Sequence, residues 1–317
     1  MLSTKSLIVF KKMKKYIIST SINPPTKAIR KFDTMNGWKL IVVGDLKTPK
    51  NYKLKNGIYL SPKDQIKINK KLSNLIGWNC IERRNFGFIL AKKLGAEIVA
   101  IVDDDNIPKK NWGKNLLVKK KVSINYCKTK LNVFDPIYLT NYKHLWHRGF
   151  PVELIDDRDA KVLNKKKIKV DIQADFWDGD PDIDAICRMM YKPNCNFKTN
   201  PFPFFSNKLS PFNSQNTFID AKLLKYYFLF PDQGRIHDIW ASYFIQYYNK
   251  NLNVVYNKAS VFQKRNSHNL IIDLKNEFNG LKKNFKFLNL MFKKKFNYKK
   301  EFSQRSVEAY REYKKHF

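Results

Sequence analysis

The sequence predicts an α/β fold in which a mixed sheet is flanked by helices. Two apolar segments typical of buried strands occur early, at Tyr16–Thr20 and Leu40–Asp45, and a third follows at Glu97–Val102. Stretches with the length of helices separate them, at Pro25–Trp38 and Asn85–Leu94. This β-α-β-α-β order is typical of a doubly wound sheet whose parallel strands are joined by crossover helices.

The later elements are less regular. Pro, Trp and Phe are frequent between residues 134 and 212, as expected for loops and short strands that form a substrate-facing half. Asp238–Lys250 predicts a helix with an aromatic stripe, which favours core packing over an acceptor platform. Lys-rich segments with interleaved Phe and Leu follow to the end of the chain. We therefore expect an α/β domain over residues 1–275 and a basic helical C-terminal extension over residues 276–317.

The composition is that of a strongly basic globular protein. The 317 residues are 43% hydrophobic, and 61 Lys and Arg against 27 Asp and Glu give a formal net charge of +34. Such a charge favours three kinds of partner: nucleic acid, an anionic membrane or acidic polymer, and phosphate-bearing small molecules. An AT-rich genome is a simpler source of the Lys excess. No RNA-binding signature, helix-turn-helix spacing or zinc finger is present, so no specific nucleic acid is expected as a partner.

The sequence also bears on location. No stretch approaches about 18 uninterrupted apolar residues, so no membrane-spanning helix is expected. Cys80, Cys127, Cys187 and Cys195 lack the spacing of a zinc site, which indicates reduced thiols and a cytoplasmic protein. The basic extension adds peripheral contact with an anionic membrane as a further expectation.

Three consecutive carboxylates, Asp103, Asp104 and Asp105, follow the third predicted strand directly. Open α/β sheets bind their ligands at the carboxyl ends of the strands. Adjacent carboxylates repel one another unless a cation neutralises them, and Mg²⁺ and Mn²⁺ prefer oxygen ligands. The cluster therefore predicts a site for a divalent cation and a nucleotide, with a polar loop or helix N-terminus as the alternative.

The segment Glu82–Gly87 lies upstream of these carboxylates and carries forked guanidinium donors, an amide and a glycine that permits close backbone approach. This part of the chain resembles the GT-A glycosyltransferases. The resemblance lies in the order of an Arg-Asn-x-Gly pattern, a short helix, an apolar strand and an Asp cluster. The resemblance implies a GT-A-like (Rossmann-like) mixed sheet, a metal site at Asp103 and Asp105, and a sugar-facing or ribose-facing Asp104. The donor-binding candidates that it implies upstream are Arg83, Arg84 and Asn85.

Six patches support a narrower comparison. They are Gly44–Pro49, Asp103–Asp105, His147–Pro151, Asp180–Ala185, Pro211–Thr217 and Gly234–Trp240. In sequence and order these patches resemble the plant STELLO proteins and, more distantly, the reversibly glycosylated polypeptides, which are UDP-arabinopyranose mutases. In those polypeptides, a second arginine follows a few residues after the arginine that Arg148 matches. Here Ile155 occupies the position of that second arginine, and Arg158 is displaced from it. Mutase activity and self-glycosylation are therefore not expected.

The remaining candidates follow from the same resemblance. Asp238, at the start of a predicted helix, is the candidate base for the acceptor hydroxyl in an inverting transfer, with a helix N-cap as the alternative. His268 is a third candidate metal ligand, or else a surface histidine. Thr20, Asp45 and Arg265 are further donor-binding candidates. Contacts with sugar or acceptor are assigned to Arg148, Asp182, Asp184 and His237, although turn and cap formation would also explain the two aspartates.

The sequence thus predicts a metal-dependent glycosyltransferase that uses Mn²⁺ or Mg²⁺. Its partners would be a nucleotide-sugar donor, UDP-linked, and a glycan or other hydroxyl acceptor. A UDP-sugar mutase and a non-catalytic scaffold in glycan synthesis are the alternatives from other classes. A retaining enzyme could use the same metal site without a strong base.

Overall fold

The computed structural model describes residues 13–199, 201–264 and 269–317. Within these residues eleven strands form one mixed sheet, and helices flank it. The strands are β1 (Lys15–Thr20), β2 (Lys39–Val43), β3 (Ile58–Leu60), β4 (Ile98–Val102), β5 (Asn106–Pro108), β6 (Lys121–Lys128), β7 (Lys161–Lys169), β8 (Ile172–Gly179), β9 (Phe204–Phe205), β10 (Asn216–Asp220) and β11 (Val254–Gln263). The helices are α1 (Lys27–Asp33), α2 (Pro62–Ile68), α3 (Lys70–Ile76), α4 (Arg84–Lys93), α5 (Ala185–Tyr191), α6 (His237–Tyr248), α7 (Leu270–Phe292), α8 (Tyr298–Glu301) and α9 (Gln304–Lys314).

The sheet is mixed in direction. Its order is β3-β2-β1-β4-β10-β8-β11-β9-β6-β7, and β5 pairs with β11. Strands β3, β2, β1 and β4 run parallel, whereas β10 is antiparallel to both of its neighbours. The predicted fold class, a mixed α/β sheet flanked by helices, is confirmed. Because β1, β2 and β4 are parallel, the residues that follow them lie at one edge of the sheet.

The first three predicted strands are present because their side chains are buried on both faces of the sheet. All five residues of β4 and four of the five in β2 are buried, which accounts for the Ile and Val runs. Helix α1 is shorter than the predicted crossover helix. The Thr26 side chain caps its N-terminus by accepting a hydrogen bond from the Ile29 amide, and the helix ends before Thr34.

The C-terminal helices pack on the same core as the sheet. The predicted boundary between residues 275 and 276 falls inside α7 rather than between elements. Phe287 is buried, and its ring stacks on Trp240 of α6 with 4.5 Å between centroids. The aromatic stripe of α6 is core, as the sequence favours, since Trp240, Tyr243 and Phe244 are all buried. No helix among the described residues is both long and apolar enough to cross a bilayer.

A buried carboxyl on β8 is expected to make stability depend on pH. Burial raises the pKa of Asp175 from 3.8 to about 6, although hydrogen bonds from Ser260, Gln173 and Asn257 lower it. The folded state therefore favours the protonated acid, and this stability is lost as the pH rises through about 6. Above that pH, ionisation of the buried Asp175 carboxyl lowers the free energy of unfolding by roughly 3 kcal/mol. Replacing Asp175 by Asn removes this cost.

The Asp175→Asn variant should consequently unfold at a higher temperature than the wild type at pH 8, and the difference should shrink towards pH 4. Thermal unfolding followed by circular dichroism across this range measures the effect. A difference that stays constant with pH would show that ionisation of Asp175 is not its cause.

Candidate active site

Two adjoining cavities lie at the carboxyl ends of the parallel strands. One, which we term the β1–β2 cavity, has a volume of about 340 Å³ and is lined by Thr20, Ser21, Asp45, Cys80 and Asp104, among others. The other, the α6 cavity, has a volume of about 320 Å³ and is lined by Asp103, Asp105, Arg148, Asp182, His237 and Asp238, among others. Ile81 lines both cavities, so they share a wall.

The three carboxylates after β4 are divided between these cavities. Asp103 and Asp105 line the α6 cavity, whereas Asp104 lines the β1–β2 cavity. The carboxylate of Asp104 accepts hydrogen bonds from Ser21 Oγ (2.5 Å) and Asn23 Nδ2 (3.3 Å), which hold it towards the end of β1. This arrangement separates the middle carboxylate from the outer two.

Arg84 fixes the first of these carboxylates. Its Nη2 donates to Asp103 Oδ1 (2.7 Å) and to Thr20 Oγ1 (3.0 Å), and its Nη1 donates to Ser214 Oγ (2.8 Å). Burial raises the pKa of the Asp103 carboxyl, and the Arg84 guanidinium opposes that rise. Since Arg84 is buried, it positions Asp103 and Thr20 rather than projecting into the cavity.

Asp45 is positioned by backbone donors. Its Oδ1 accepts hydrogen bonds from the amides of Leu46 (2.6 Å) and Asn79 (2.8 Å), and its Oδ2 accepts one from Cys80 (3.1 Å). The carboxylate thus ties the end of β2 to the loop that precedes α4. It lines the β1–β2 cavity mainly as a loop support.

Arg148 is the centre of the charge network in the α6 cavity. Its guanidinium donates to both oxygens of Asp182 (2.8 and 3.1 Å) and to both oxygens of Asp238 (3.0 and 2.9 Å). All three side chains are buried. One cation is therefore shared by two carboxylates that come from segments far apart in the sequence.

The environment of Asp238 makes it a weak base. Burial alone would raise the pKa of its carboxyl, but Arg148 outweighs burial and holds that pKa well below its ordinary range. The amide and hydroxyl of Ser214 also donate to its Oδ2, at 3.1 and 3.2 Å. Asp238 lies in the cavity wall where the sequence places a base, but a carboxylate with a low pKa accepts a proton poorly.

His237 lies beside Asp238 and lines the same cavity. Its Nδ1 is 2.6 Å from the carbonyl oxygen of Gly234 and 3.6 Å from Glu82 Oε1. Both neighbours are acceptors, which favours the tautomer with the proton on Nδ1. In that tautomer Nε2 is a proton acceptor.

Three predicted contact residues have structural roles. The buried Arg83 donates from Nε to the Gln65 side chain (2.7 Å), and its guanidinium packs over the Trp78 ring. The side chain of Asn85 exchanges two hydrogen bonds with the backbone of Leu229, at 2.9 and 3.0 Å. Asp184 caps α5 and accepts a hydrogen bond from the Trp146 indole. Asn85 and Asp184 thus hold the fold, whereas Arg83 also lines the β1–β2 cavity, where its buried Nη2 has no hydrogen-bond partner among the described residues.

The sequence interpretation assigned no role to several lining residues. Ser214 links Arg84 and Asp238, and Arg235 joins the α6 cavity to α7 through Asp273 and Glu277 at 3.0 Å each. Both residues lie within sequence patches that resemble known proteins, and this resemblance is the feature of the sequence that could have identified them. Arg158, the displaced arginine, is partly buried and pairs with Asp135 (2.9 Å).

Asp103 and Asp105, which both line the α6 cavity, are the candidate ligands for a divalent cation. Among residues 13–199, 201–264 and 269–317, no group of three or more His, Cys, Asp or Glu side chains is arranged to hold a metal ion. Mg²⁺ is commonly held by one or two carboxylates together with substrate phosphates, without a complete protein cage. The donor set therefore suits a cation shared with a diphosphate. His268 and Arg265, the remaining candidates, lie outside the described residues.

The fold and the two cavities define a mixed α/β protein with a polar cleft at the carboxyl ends of its parallel strands. In sequence the chain is similar to two Arabidopsis thaliana proteins, Probable glycosyltransferase STELLO2 and Probable glycosyltransferase STELLO1. Each is 24% identical over 187 residues, which cover 54% of this chain and 24% of the relative. The resemblance to STELLO-like proteins is thus confirmed, over about a quarter of the length of these relatives. No family model matches the chain.

Solved structures give more distant similarities. Glucosyl-3-phosphoglycerate synthase from Mycobacterium tuberculosis, in complex with phosphoglyceric acid, aligns with a TM-score of 0.39 and 9% identity over 89% of this chain and 80% of that one. S. aureus TarS, in complex with UDP-GlcNAc, aligns with a TM-score of 0.43 and 13% identity over 94% of this chain and 78% of that one. These scores are too low to carry functional information. The distant resemblance to the reversibly glycosylated polypeptides stays a prediction.

Proposed function

We propose that the protein is a glycosyltransferase that moves a sugar from a UDP-linked donor to a hydroxyl of a glycan or similar acceptor. The observation that carries the proposal is the division of Asp103–Asp105 between two adjoining cavities. Such a division suits a donor whose nucleoside lies on one side of the acidic cluster and whose sugar lies on the other. The sequence relatives, both described as probable glycosyltransferases, support the same reading.

The β1–β2 cavity would hold the nucleoside. Asp104, Thr20 and Ser21 place oxygen atoms at its wall, and ribose hydroxyls and a pyrimidine edge offer matching donors and acceptors. Asp45 would act there by shaping the loop around Cys80. These contacts favour a nucleotide over a free sugar as the donor.

The α6 cavity would hold the reacting sugar and the acceptor. Asp103 and Asp105 are the residues that would hold Mn²⁺ or Mg²⁺, with Arg84 keeping Asp103 in place. The cation would neutralise the charge that develops on the departing diphosphate. Arg148 keeps Asp182 and Asp238 ionised, so their oxygens can orient sugar or acceptor hydroxyls.

His237, rather than Asp238, would accept the proton of the acceptor hydroxyl in an inverting transfer. Proton transfer requires a group with an available lone pair and moderate basicity. The Nδ1 hydrogen bond to Gly234 leaves Nε2 with such a lone pair, and the Glu82 carboxylate stabilises the imidazolium that forms. Asp238 lacks this basicity because Arg148 holds its pKa well below the ordinary range.

Metal-dependent donor binding is the direct test. Wild-type protein with UDP-sugars and Mn²⁺ should unfold at a higher temperature than without them, since a ligand at about 100 times its Kd adds roughly 2.7 kcal/mol of stability. Chelation of the metal should remove most of that shift. Asp103→Asn and Asp105→Asn should lose the metal-dependent part, whereas Asp104→Asn should weaken UDP binding and keep its metal dependence.

Asp157→Asn is the matched control. Asp157 is an exposed carboxylate that lines neither of the two cavities. The variant should retain the full shift. The proposal would be abandoned if no UDP-sugar gave a metal-dependent shift, or if Asp103→Asn and Asp105→Asn bound the donor as the control does.

A further inference from the structure

The outward face of α7 combines large apolar side chains with lysines. Ile271, Ile272 and Phe278 are 68%, 54% and 58% exposed, which is unusual for side chains of this size on one helix. We term these three residues, together with the exposed lysines of the same helix, the α7 face. Those lysines are Lys275, Lys282, Lys283 and Lys286.

The α7 face has no acidic residue. The helix contains two acids, Asp273 and Glu277, and both are buried on its inner side. There they pair with Arg235, at 3.0 Å each, and Arg235 in turn lines the α6 cavity. The charged residues on the outer surface of α7 are therefore all cationic, and Arg235 links the inner surface of the helix to the α6 cavity.

The apolar and basic residues are interleaved along one stripe. Ile271, Lys275, Phe278 and Lys282 follow at intervals of four, three and four residues, so their side chains lie one above another on the helix. The inner residues of α7, such as Phe287 and Leu288, are already packed in the core. The exposed apolar side chains of α7 are thus not part of the hydrophobic core that stabilises the domain.

We infer that the α7 face docks on an anionic lipid bilayer. Ile and Phe side chains enter the boundary between headgroups and acyl chains, and the lysine stems allow their ammonium groups to reach lipid phosphates. A net charge of +34 and the absence of acids on this helix face complement a negatively charged surface. A nucleic acid would pair with the lysines but would leave the three apolar side chains in water.

Docking through α7 would also place the catalytic region near the membrane. Arg235 connects the inner side of this helix to the α6 cavity. An acceptor carried by a lipid or by a membrane protein would then meet the cavity close to the bilayer surface. The docking itself requires neither donor nor acceptor, so its test is independent of the proposed reaction.

Cosedimentation of the full chain with lipid vesicles tests this inference. We expect the protein to bind vesicles of phosphatidylcholine that contain about a third phosphatidylserine, and to bind little to vesicles of phosphatidylcholine alone. Binding to the anionic vesicles should weaken at high salt. Phe278→Glu and Ile272→Glu should each lower the partition coefficient at least tenfold, because burial of one such side chain is worth about that factor. Lys282→Gln with Lys283→Gln should lower it about tenfold or more on anionic vesicles only.

Matched controls come from the exposed edge strand β7. Leu163→Glu replaces an apolar side chain that is 45% exposed, and Lys165→Gln with Lys167→Gln removes the same charge as the α7 double variant. Both controls should bind vesicles as the wild type does. Circular dichroism and thermal unfolding check that each variant is folded.

Three results would overturn the inference. One is the absence of binding to anionic vesicles, and another is an equal loss in the α7 variants and the β7 controls, which would reflect bulk charge. The third is binding to RNA or DNA that depends on Lys282 and Lys283 but not on Phe278, without vesicle binding.

Discussion

Replacing Arg148 by Met is expected to lower the free energy of unfolding by about 3–5 kcal/mol. The guanidinium is the group that contacts both Asp182 and Asp238, and both carboxylates are buried. Without it, two buried carboxylates would face each other with no guanidinium between them. Urea unfolding followed by Trp fluorescence at pH 7 measures the loss.

Arg305→Met is the matched control for this variant. Arg305 also pairs with a carboxylate, Asp232 at 2.9 Å, and donates to the carbonyls of Leu75 and Ile76, but the side chains of Arg305 and Asp232 are 45% and 35% exposed. Ion pairs at such a surface contribute about 0–1 kcal/mol. A cost for Arg148→Met no greater than that for Arg305→Met would show that the network does not stabilise the fold.

The effect of Arg148 should also depend on pH. Burial raises the pKa of Asp182 and Asp238, but Arg148 reverses this and leaves both values below the ordinary one. Groups with a lowered pKa stabilise the fold above their unfolded pKa, and that contribution is lost as the pH falls. The difference between wild type and Arg148→Met should therefore narrow in acid. Adding Asp182→Asn and Asp238→Asn to the variant should restore part of the stability at pH 7.

Local patterns were sufficient to predict the strands that create the site. The Ile and Val run of β4 ends at Asp103 because a strand buried on both faces must stop where charge begins. The parallel order of β1, β2 and β4 then brings Thr20, Asp45 and Asp103 to one edge without any knowledge of the loops. This part of the fold depends on neighbours in sequence and on general rules for sheets.

Contacts between distant segments could not be predicted in the same way. Arg84 and Asn85 are adjacent and similarly polar, yet one reaches Asp103 and the other pairs with Leu229, 144 residues away. The weak basicity of Asp238 depends on Arg148, which is 90 residues earlier in the chain. The inner acids of α7, Asp273 and Glu277, likewise pair with Arg235, which lies 38 and 42 residues earlier in the chain and not in a local pattern.

Replacing His237 by Gln is expected to lower the rate of sugar transfer by about 10²–10⁴-fold while UDP-sugar binding is retained. The physical reason is the orientation of the imidazole, in which the Gly234 carbonyl and Glu82 lie next to Nδ1 and Nε2 is the proton acceptor. A purely structural role would lower thermal stability and UDP-sugar binding together with the rate, and both are measured on the same variant. Asp238→Asn is the informative comparison, because it should reduce stability through Arg148 and keep most of the transfer rate. If Asp238→Asn abolishes transfer with donor binding retained and His237→Gln does not, the base is Asp238, as the sequence alone predicts.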